Sequence, residues 1–318
     1  MASLLRLVAL ALIWGSSFLW IKLGLDAMAP SQMVFARLAL ASVVLLTLSL
    51  LRRGPLPRDR RVWAHLALYV LIANVLPFTL FAVGEQTVDS GLSGVINSTT
   101  PLWAVPVSLL FGRERRLSLV NFGGVALGFL GVLVIFAPWR ITDIDLGGAL
   151  ACLVAAASYG VAIVYAGRFL SNRGVPPLSL ATAQMVTATA VSALLLPFAG
   201  TEPVRFVPVG LLAVAVLGVF GTGIAFVLQH AQIAREGATA ATMVGYLLPV
   251  VSVLLGAVFL GETLNVRVII GMAVVLVGVG MTRWRREAVT AAVRPEPERA
   301  EHATIAPVPD RSAHMTRP

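Results

Sequence analysis

Charge is what this 318-residue chain has least of: 12% of its residues are Asp, Glu, Lys or Arg, while 58% are hydrophobic. An ordinary soluble domain carries about 25% charged residues. At this length a water-soluble protein needs more polar surface than the chain owns, so the composition excludes a soluble globular fold and indicates an integral membrane protein. Lysine is nearly absent. Lys22, within Trp20-Ile21-Lys22-Leu23-Gly24, is the single one against 23 arginines. A Walker A loop needs a lysine between glycine and serine or threonine, so a P-loop ATPase is excluded. Cysteine is reduced to Cys152 in an apolar run, which rules out an intrachain disulfide. No Cys/His grouping has metal-ligand spacing, and neither a metal nor another cofactor is expected.

What charge there is lies unevenly. Of 39 ionisable Asp, Glu, Lys and Arg residues, 12 fall in the last 36 positions, from Arg283 onward. In a soluble protein the net charge of +9 would suggest nucleic acid. Here the basic residues flank apolar runs, so they read as a topology signal and no nucleic-acid partner is expected.

A helix needs about 20 mainly apolar residues to cross a hydrocarbon core of roughly 30 Å. Ten segments qualify: 4–23, 32–51, 63–84, 90–111, 119–138, 147–167, 178–197, 207–231, 239–260 and 266–283. Their short connections make successive helices antiparallel. Loop by loop, one side collects 15 basic residues: Arg6, Arg52, Arg53, Arg58, Arg60, Arg61, Arg113, Arg115, Arg116, Arg168, Arg173, Arg235, Arg283, Arg285 and Arg286. The other has at most five, Lys22, Arg37, Arg140, Arg205 and Arg267, alongside several acids. The positive-inside rule then predicts a multi-pass protein of the plasma membrane with both termini cytoplasmic. Residues 285–318, with Arg294-Pro-Glu-Pro-Glu-Arg299 and a polar end, cannot bury a core and read as a disordered cytoplasmic tail.

The two halves repeat one another. Pro101 is followed by Phe111 and Glu114, and Pro249 by Phe259 and Glu262, with 13 positions from proline to glutamate in both. Gly124 and Gly131 answer Gly271 and Gly278, and Trp14-Gly15 answers Tyr159-Gly160. The separations of 145 to 148 indicate a duplication of five helices. Because five is odd, the second copy enters the membrane from the opposite face. The expected fold is therefore all-α, with ten transmembrane helices in two inverted five-helix repeats, a recurrent plan of secondary transporters.

Ala11-Leu-Ile-Trp-Gly-Ser-Ser-Phe18, Lys22-Leu-Gly24, Ala36-Arg37-Leu38, Ser90-Gly-Leu-Ser-Gly-Val-Ile-Asn-Ser-Thr-Thr-Pro-Leu102 and Leu260-Gly-Glu-Thr-Leu264, in this order on a ten-helix frame, resemble the EamA family of the drug/metabolite transporter superfamily. The resemblance covers 4 to about 284. It implies a first EamA repeat over 4–138, a second over 147–284, and export of small metabolites or drugs. The chain departs from the pattern at Tyr159, where the first copy has Trp14, and at His230.

Polar groups inside a span tend to face the bundle or a wet path. The substrate-binding candidates are Asn74, Asn97, Thr100, Gln184 and Gln229, with aromatic walls at Trp14, Phe78, Trp103, Tyr159, Phe226 and Tyr246. Helix kinks are expected at Pro77, Pro101 and Pro249. Pro101 cannot donate to the Asn97 carbonyl, which should expose backbone acceptors there. Arg37 and His230 are the coupling candidates. Arg37 could also snorkel to the surface, pair with Asp26 or Glu85, or touch substrate. Glu114 and Glu262 end helices at the surface and read as structural. Glycines of helices 5 and 10 read as packing contacts, within the protein or in a dimer, so a monomer and a homodimer both stay open.

The leading reading is a secondary transporter that exports small neutral or zwitterionic solutes, such as amino acids, by alternating access. Proton exchange, solute exchange and the solute's own gradient are open as driving forces. Alternatives are an exchanger of nucleotide sugars or sugar phosphates, which would call for several cations where only Arg37 stands, and an intramembrane lipid-modifying enzyme, for which no convergent acid, base, nucleophile or metal set is present.

Overall fold

The computed structural model describes residues 2–54, 56–110, 119–136, 145–170, 175–198, 202–229, 244–263 and 265–293. Within them the chain forms ten helical rods. α1 has two segments, Ala2–Gly15 and Ser17–Gly24, and α2 is Pro30–Leu51. α3 runs from Arg60–Val70 through a π-helical turn, Leu71–Val75, into Leu76–Gly84. α4 is broken into Ser90–Asn97 and Thr100–Leu110, and α5 is Leu119–Phe136. The second half follows with α6, Leu146–Phe169, and α7, Pro177–Leu195. α8 is Pro208–Val216, continued by a π-helical stretch, Leu217–Ile224, and ending at Gln229. α9 is Val244–Leu260 and α10 is Val266–Val293.

Prolines placed in the first turn, where a missing N–H costs nothing, open α2, α7 and α8. Asp59 and Asp145 cap α3 and α6 by accepting from the Arg61 and Gly148 amides. Six rods, α1, α2, α3, α6, α7 and α8, are long and apolar enough to cross a membrane, and α5, α9 and α10 carry shorter apolar stretches. Leu5, Val43, Leu110, Phe122, Ile163, Leu212 and Phe259 are exposed. So large an apolar exterior suits lipid, where each rod satisfies its own backbone.

The α5–α10 pair carries the imprint of the duplication. Gly131 faces Gly271, with a Cβ on Gly131 falling 2.9 Å from the Gly271 carbonyl oxygen. Gly278 faces Gly124, at 2.6 Å from its carbonyl oxygen by the same measure. Exchanging each glycine for its equivalent in the other copy converts one contact into the other. In α2 and α7, Ser42 and Thr189, 147 positions apart, hydrogen-bond to each other at 2.8 Å. A residue that touches its own equivalent lies on the axis relating the copies, so α2 and α7 meet on a pseudo-two-fold axis.

The helix expected to stop near 283 continues to Val293, nine residues into the stretch read as a disordered tail. Residues 294–318, Glu114 and His230 lie outside the described residues, and so does the Tyr246 side chain in α9.

Candidate functional site

The third helix of each half departs from α-helical geometry at the same place. In α3, Pro77 has no N–H to donate, and the turn before it widens to π, with the Leu76 N–H reaching back to the Leu71 carbonyl. Hydroxyls take up loosened carbonyls: Thr79 Oγ1 donates to Val75 O at 2.7 Å, and Ser158 Oγ of α6 donates to Ile72 O at 2.7 Å. In α8 the glycine-rich stretch Leu-Gly-Val-Phe-Gly-Thr-Gly-Ile is π-helical. There Thr222 Oγ1 donates to Leu217 O at 3.0 Å. π-Helical turns concentrate at functional sites because they redirect side chains that a regular helix would pack away.

Both stretches receive a side chain from the opposite half. Arg37 Nε of α2 donates to Thr222 Oγ1 of α8 at 2.8 Å. Gln184 Nε2 of α7 donates to Asn74 Oδ1 of α3 at 2.9 Å. Arg37 and Gln184 are 147 positions apart, Asn74 and Thr222 are 148 apart, so one contact is made twice about the axis, once with a cation and once neutral. Arg37 is 7% exposed and its guanidinium lies over the Phe78 ring, 3.9 Å from the centroid. A guanidinium over an aromatic face gains cation–π attraction, strongest where water is excluded. The expected snorkelling or pairing with Asp26 or Glu85 gives way to these contacts, since the second helix turns Arg37 inward toward α8. Tyr159 edges onto Phe78 at 6.5 Å between centroids and stacks on Phe81 at 6.1 Å.

The break in α4 adjoins this cluster. Gly160, next to Tyr159, lets α6 press against Thr100, Trp103 and Ala104: a Cβ on Gly160 would fall 2.6 Å from the Trp103 Cβ. The carbonyls expected to lie open near Pro101 are occupied. Thr100 Oγ1 donates to Asn97 O at 2.8 Å, and Ser98 and Thr99 bond the carbonyls of Val95 and Ile96. Beside this break two buried side-chain atoms have no partner among the described residues, Asn97 Oδ1 and Trp103 Nε1. At Pro249 helix α9 continues unbroken, with Ser252 Oγ donating to its carbonyl at 3.0 Å.

Trp14 packs elsewhere, with Leu10, Ala225, Val244 and Leu248. Phe226 adjoins the cluster formed by Val34, Leu38, Phe78 and Met185, and Gln229 is half-buried at the end of α8. Thr222, Phe81 and the Ser42–Thr189 pair were not singled out in the sequence. The repeat offset points at Thr222, which stands 148 positions after Asn74.

At the end of the bundle away from Ala2 and Val293, the distal end, the halves are tied. Gly261, at φ 66°, adopts the left-handed conformation that ends α9 and turns the next residue back. The Glu262 carboxylate then accepts from Ser90 N at 2.7 Å and Gly91 N at 2.9 Å, capping α4 of the other half. Asp89 stands at the N-cap but makes no side-chain cap bond. The surface structural role expected for Glu262 thus becomes a bond between the copies. Lys22 Nζ donates to the carbonyls of Glu85 and Val88 at 2.6 and 2.9 Å. The Glu85 carboxyl, in the turn after α3, is fully buried and neither oxygen has a partner among the described residues. Burial pushes it well above the usual carboxylate range, with Lys22 drawing it down, Glu262 pushing it up and Arg37 drawing it down. No cluster of three or more His, Cys, Asp or Glu suited to a metal occurs among the described residues.

A multi-pass helical bundle of two like halves, meeting at paired polar contacts on π-helical turns, is the architecture of a membrane transporter. The chain belongs to the EamA-like transporter family, whose model matches residues 1–137 and 146–284. This is a non-enzymatic family of the drug/metabolite transporter superfamily. Among curated proteins it is 30% identical over 295 residues to the uncharacterized inner membrane transporter YedA of Escherichia coli K12, covering 90% of this chain and 94% of that protein. It is 26% identical over 270 residues to the uncharacterized transporter YdfC of Bacillus subtilis, covering 85% and 87%. A chloroplastic WAT1-related protein of Arabidopsis thaliana is 25% identical over 288 residues, with coverage of 85% and 67%. A solved crystal structure matches at a TM-score of 0.63 and 21% identity, covering 90% of this chain and 99% of the other, a likeness of fold.

Proposed function

We propose that the protein exports small neutral or zwitterionic metabolites, amino acids or related solutes, by alternating access. It does so from the inner (plasma) membrane with both termini cytoplasmic, as a monomer or homodimer. Its working units are the halves 4–138 and 147–284. The distal end is then the outer face.

The observation that carries this reading is the doubled contact, Arg37 on Thr222 and Gln184 on Asn74. Each bond joins the second helix of one half to the π turn of the other, so rocking the halves changes both together. The pair is unequal. A single buried cation suits one carboxylate, while Asn74, Gln184, Asn97 and the hydroxyl of Tyr159 offer neutral partners for an amine. Phe78, Phe81 and Tyr159 supply apolar wall. A cargo bearing several phosphates would leave most of its charge uncompensated beside one guanidinium, which disfavours the sugar-phosphate exchanger.

The test is counterflow: purified protein in liposomes preloaded with one unlabelled amino acid, taking up the same amino acid in radiolabelled form, each tried singly. Protein-dependent uptake that saturates, and that weakens in Arg37→Gln, supports the reading. Uptake of none of them removes amino acids as cargo.

A further inference from the structure

One buried acid is left unused by the contacts above. Glu85 is 0% exposed, and both carboxyl oxygens lack a partner among the described residues. A cation lies beside it without neutralising it: Lys22 spends its ammonium on the carbonyls of Glu85 and Val88. The groups facing the carboxyl from the surrounding elements are Lys22 of α2's predecessor α1, Arg37 of α2, Cys152 of α6, and Glu262 after α9. Other acids nearby are differently placed. Glu262 is satisfied by two amides, Asp145 by Gly148 and Thr87, and Asp26 and Asp89 are exposed.

Position adds the second half of the argument. Glu85 follows Phe78, the ring under Arg37, by seven residues, which puts it about 10 Å nearer the distal end along the helix. It therefore lies between the distal tie made by Glu262 and the level of the doubled contact. A carboxyl enclosed without hydrogen-bond donors is stable only as the neutral acid, and it gives up its proton once water or a freed cation reaches it.

We propose that Glu85 is the proton-binding site through which transport is coupled to the proton gradient, an inference that rests on the transporter reading above. With the distal end open, a carboxylate oxygen of Glu85 accepts a proton from the water on that side. Closure by the Glu262 cap, the arrangement of this structure, encloses the neutral acid. After the halves rock, the O–H proton passes to water on the opposite side, and the carboxylate is restored beside Lys22 and Arg37. One proton enters per solute expelled, and no other reactant is required.

Two measurements test this on the full chain. Infrared titration of the purified protein should show a protonated carboxylic C=O band that Glu85→Gln removes and Asp89→Asn keeps. Absence of any band lost in E85Q overturns the proposal whatever the cargo. In liposomes, a one-unit pH gradient driving one-for-one exchange supports about tenfold accumulation of a labelled amino acid. E85Q should abolish that accumulation while counterflow persists, and Glu85→Asp, which restores a carboxyl, should recover it with a displaced pH midpoint. Wild-type counterflow with no response to pH, or E85Q accumulating as wild type does, overturns the coupling role. Loss of counterflow in the wild type itself speaks against amino acids as cargo, and the infrared result still decides whether Glu85 holds the proton.

Discussion

Arg37 shows how one residue depends on neighbours far along the chain. Its partner Thr222 is 185 positions away, and the Phe78 ring that carries its flat face comes from a third helix. From sequence its depth, six residues into the expected span 32–51, suited a snorkelling side chain as well as a buried one, because spacing along α2 says nothing of where α8 lies. The pairing of Asn74 with Gln184 was hidden in the same way, although both stood out as candidates because polar groups are costly in a span. Arg37→Lys should fail to restore what Arg37→Gln loses. An ammonium has no Nε to reach Thr222 and no plane to lie on Phe78. Loss of a charged hydrogen bond costs about 1.5–3 kcal/mol, so KM in counterflow should rise about tenfold or more in both variants. A lysine variant with wild-type KM would remove Arg37 from the binding surface.

Among the elements, the π turns and the α4 cap were the least legible. Widening one turn changes the hydrogen-bond register of a few residues without disturbing the apolar pattern, so Pro77 announced a perturbation in α3 and nothing announced that of α8. The Gly261-Glu262 pair was visible as a motif, but its acceptor role appears only when α9 is placed beside α4. Removing that cap in Glu262→Ala leaves the Ser90 and Gly91 amides without their acceptor and should favour opening at the distal end. Cys152, buried with Sγ 3.5 Å from Ser93 Oγ, is a native reporter. An N-cap is worth about 0.5–2 kcal/mol, so its alkylation by a small maleimide should quicken by about twofold to thirtyfold in E262A, and less in Glu262→Gln. Unchanged reactivity would mean the tie does not hold that end.

A second cap has a pH signature. Asp145 is held below the usual carboxylate range by the Gly148 amide and the Thr87 hydroxyl. A depressed pKa means stability that is present above the unfolded value, about 3.9, and is lost as pH falls through the folded one. The melting temperature of Asp145→Ala should lie below that of the wild type at pH 6, and the gap should narrow as the pH drops under about 4. A gap of constant size would show that the carboxylate charge contributes nothing to the cap.

For the molecule as a whole, ten helices and the repeat were legible because apolar length and a fixed offset survive in any sequence that keeps them. The axis was not, since Ser42 and Thr189 are ordinary hydroxyls until α2 and α7 cross. Orientation is the whole-molecule property that the fold leaves open, because a two-fold bundle looks alike from both faces. Charge breaks that symmetry in the sequence: the loops expected on the side of the termini carry 15 basic residues and those expected on the other side at most five. At about 1 kcal/mol for each Lys or Arg near an anionic cytoplasmic leaflet, that excess is the ground for the proposed orientation with termini inside. Cysteine labelling reads this directly. In a Cys152→Ala background, Gln86→Cys sits on the exposed distal turn and Arg58→Cys on the exposed turn between α2 and α3. An impermeant maleimide added to intact cells, or to spheroplasts where an outer membrane intervenes, should label Q86C at once and R58C only after lysis. The opposite pattern would place the Glu262 tie and Glu85 at the cytoplasmic face, reversing the side from which a proton reaches the carboxyl.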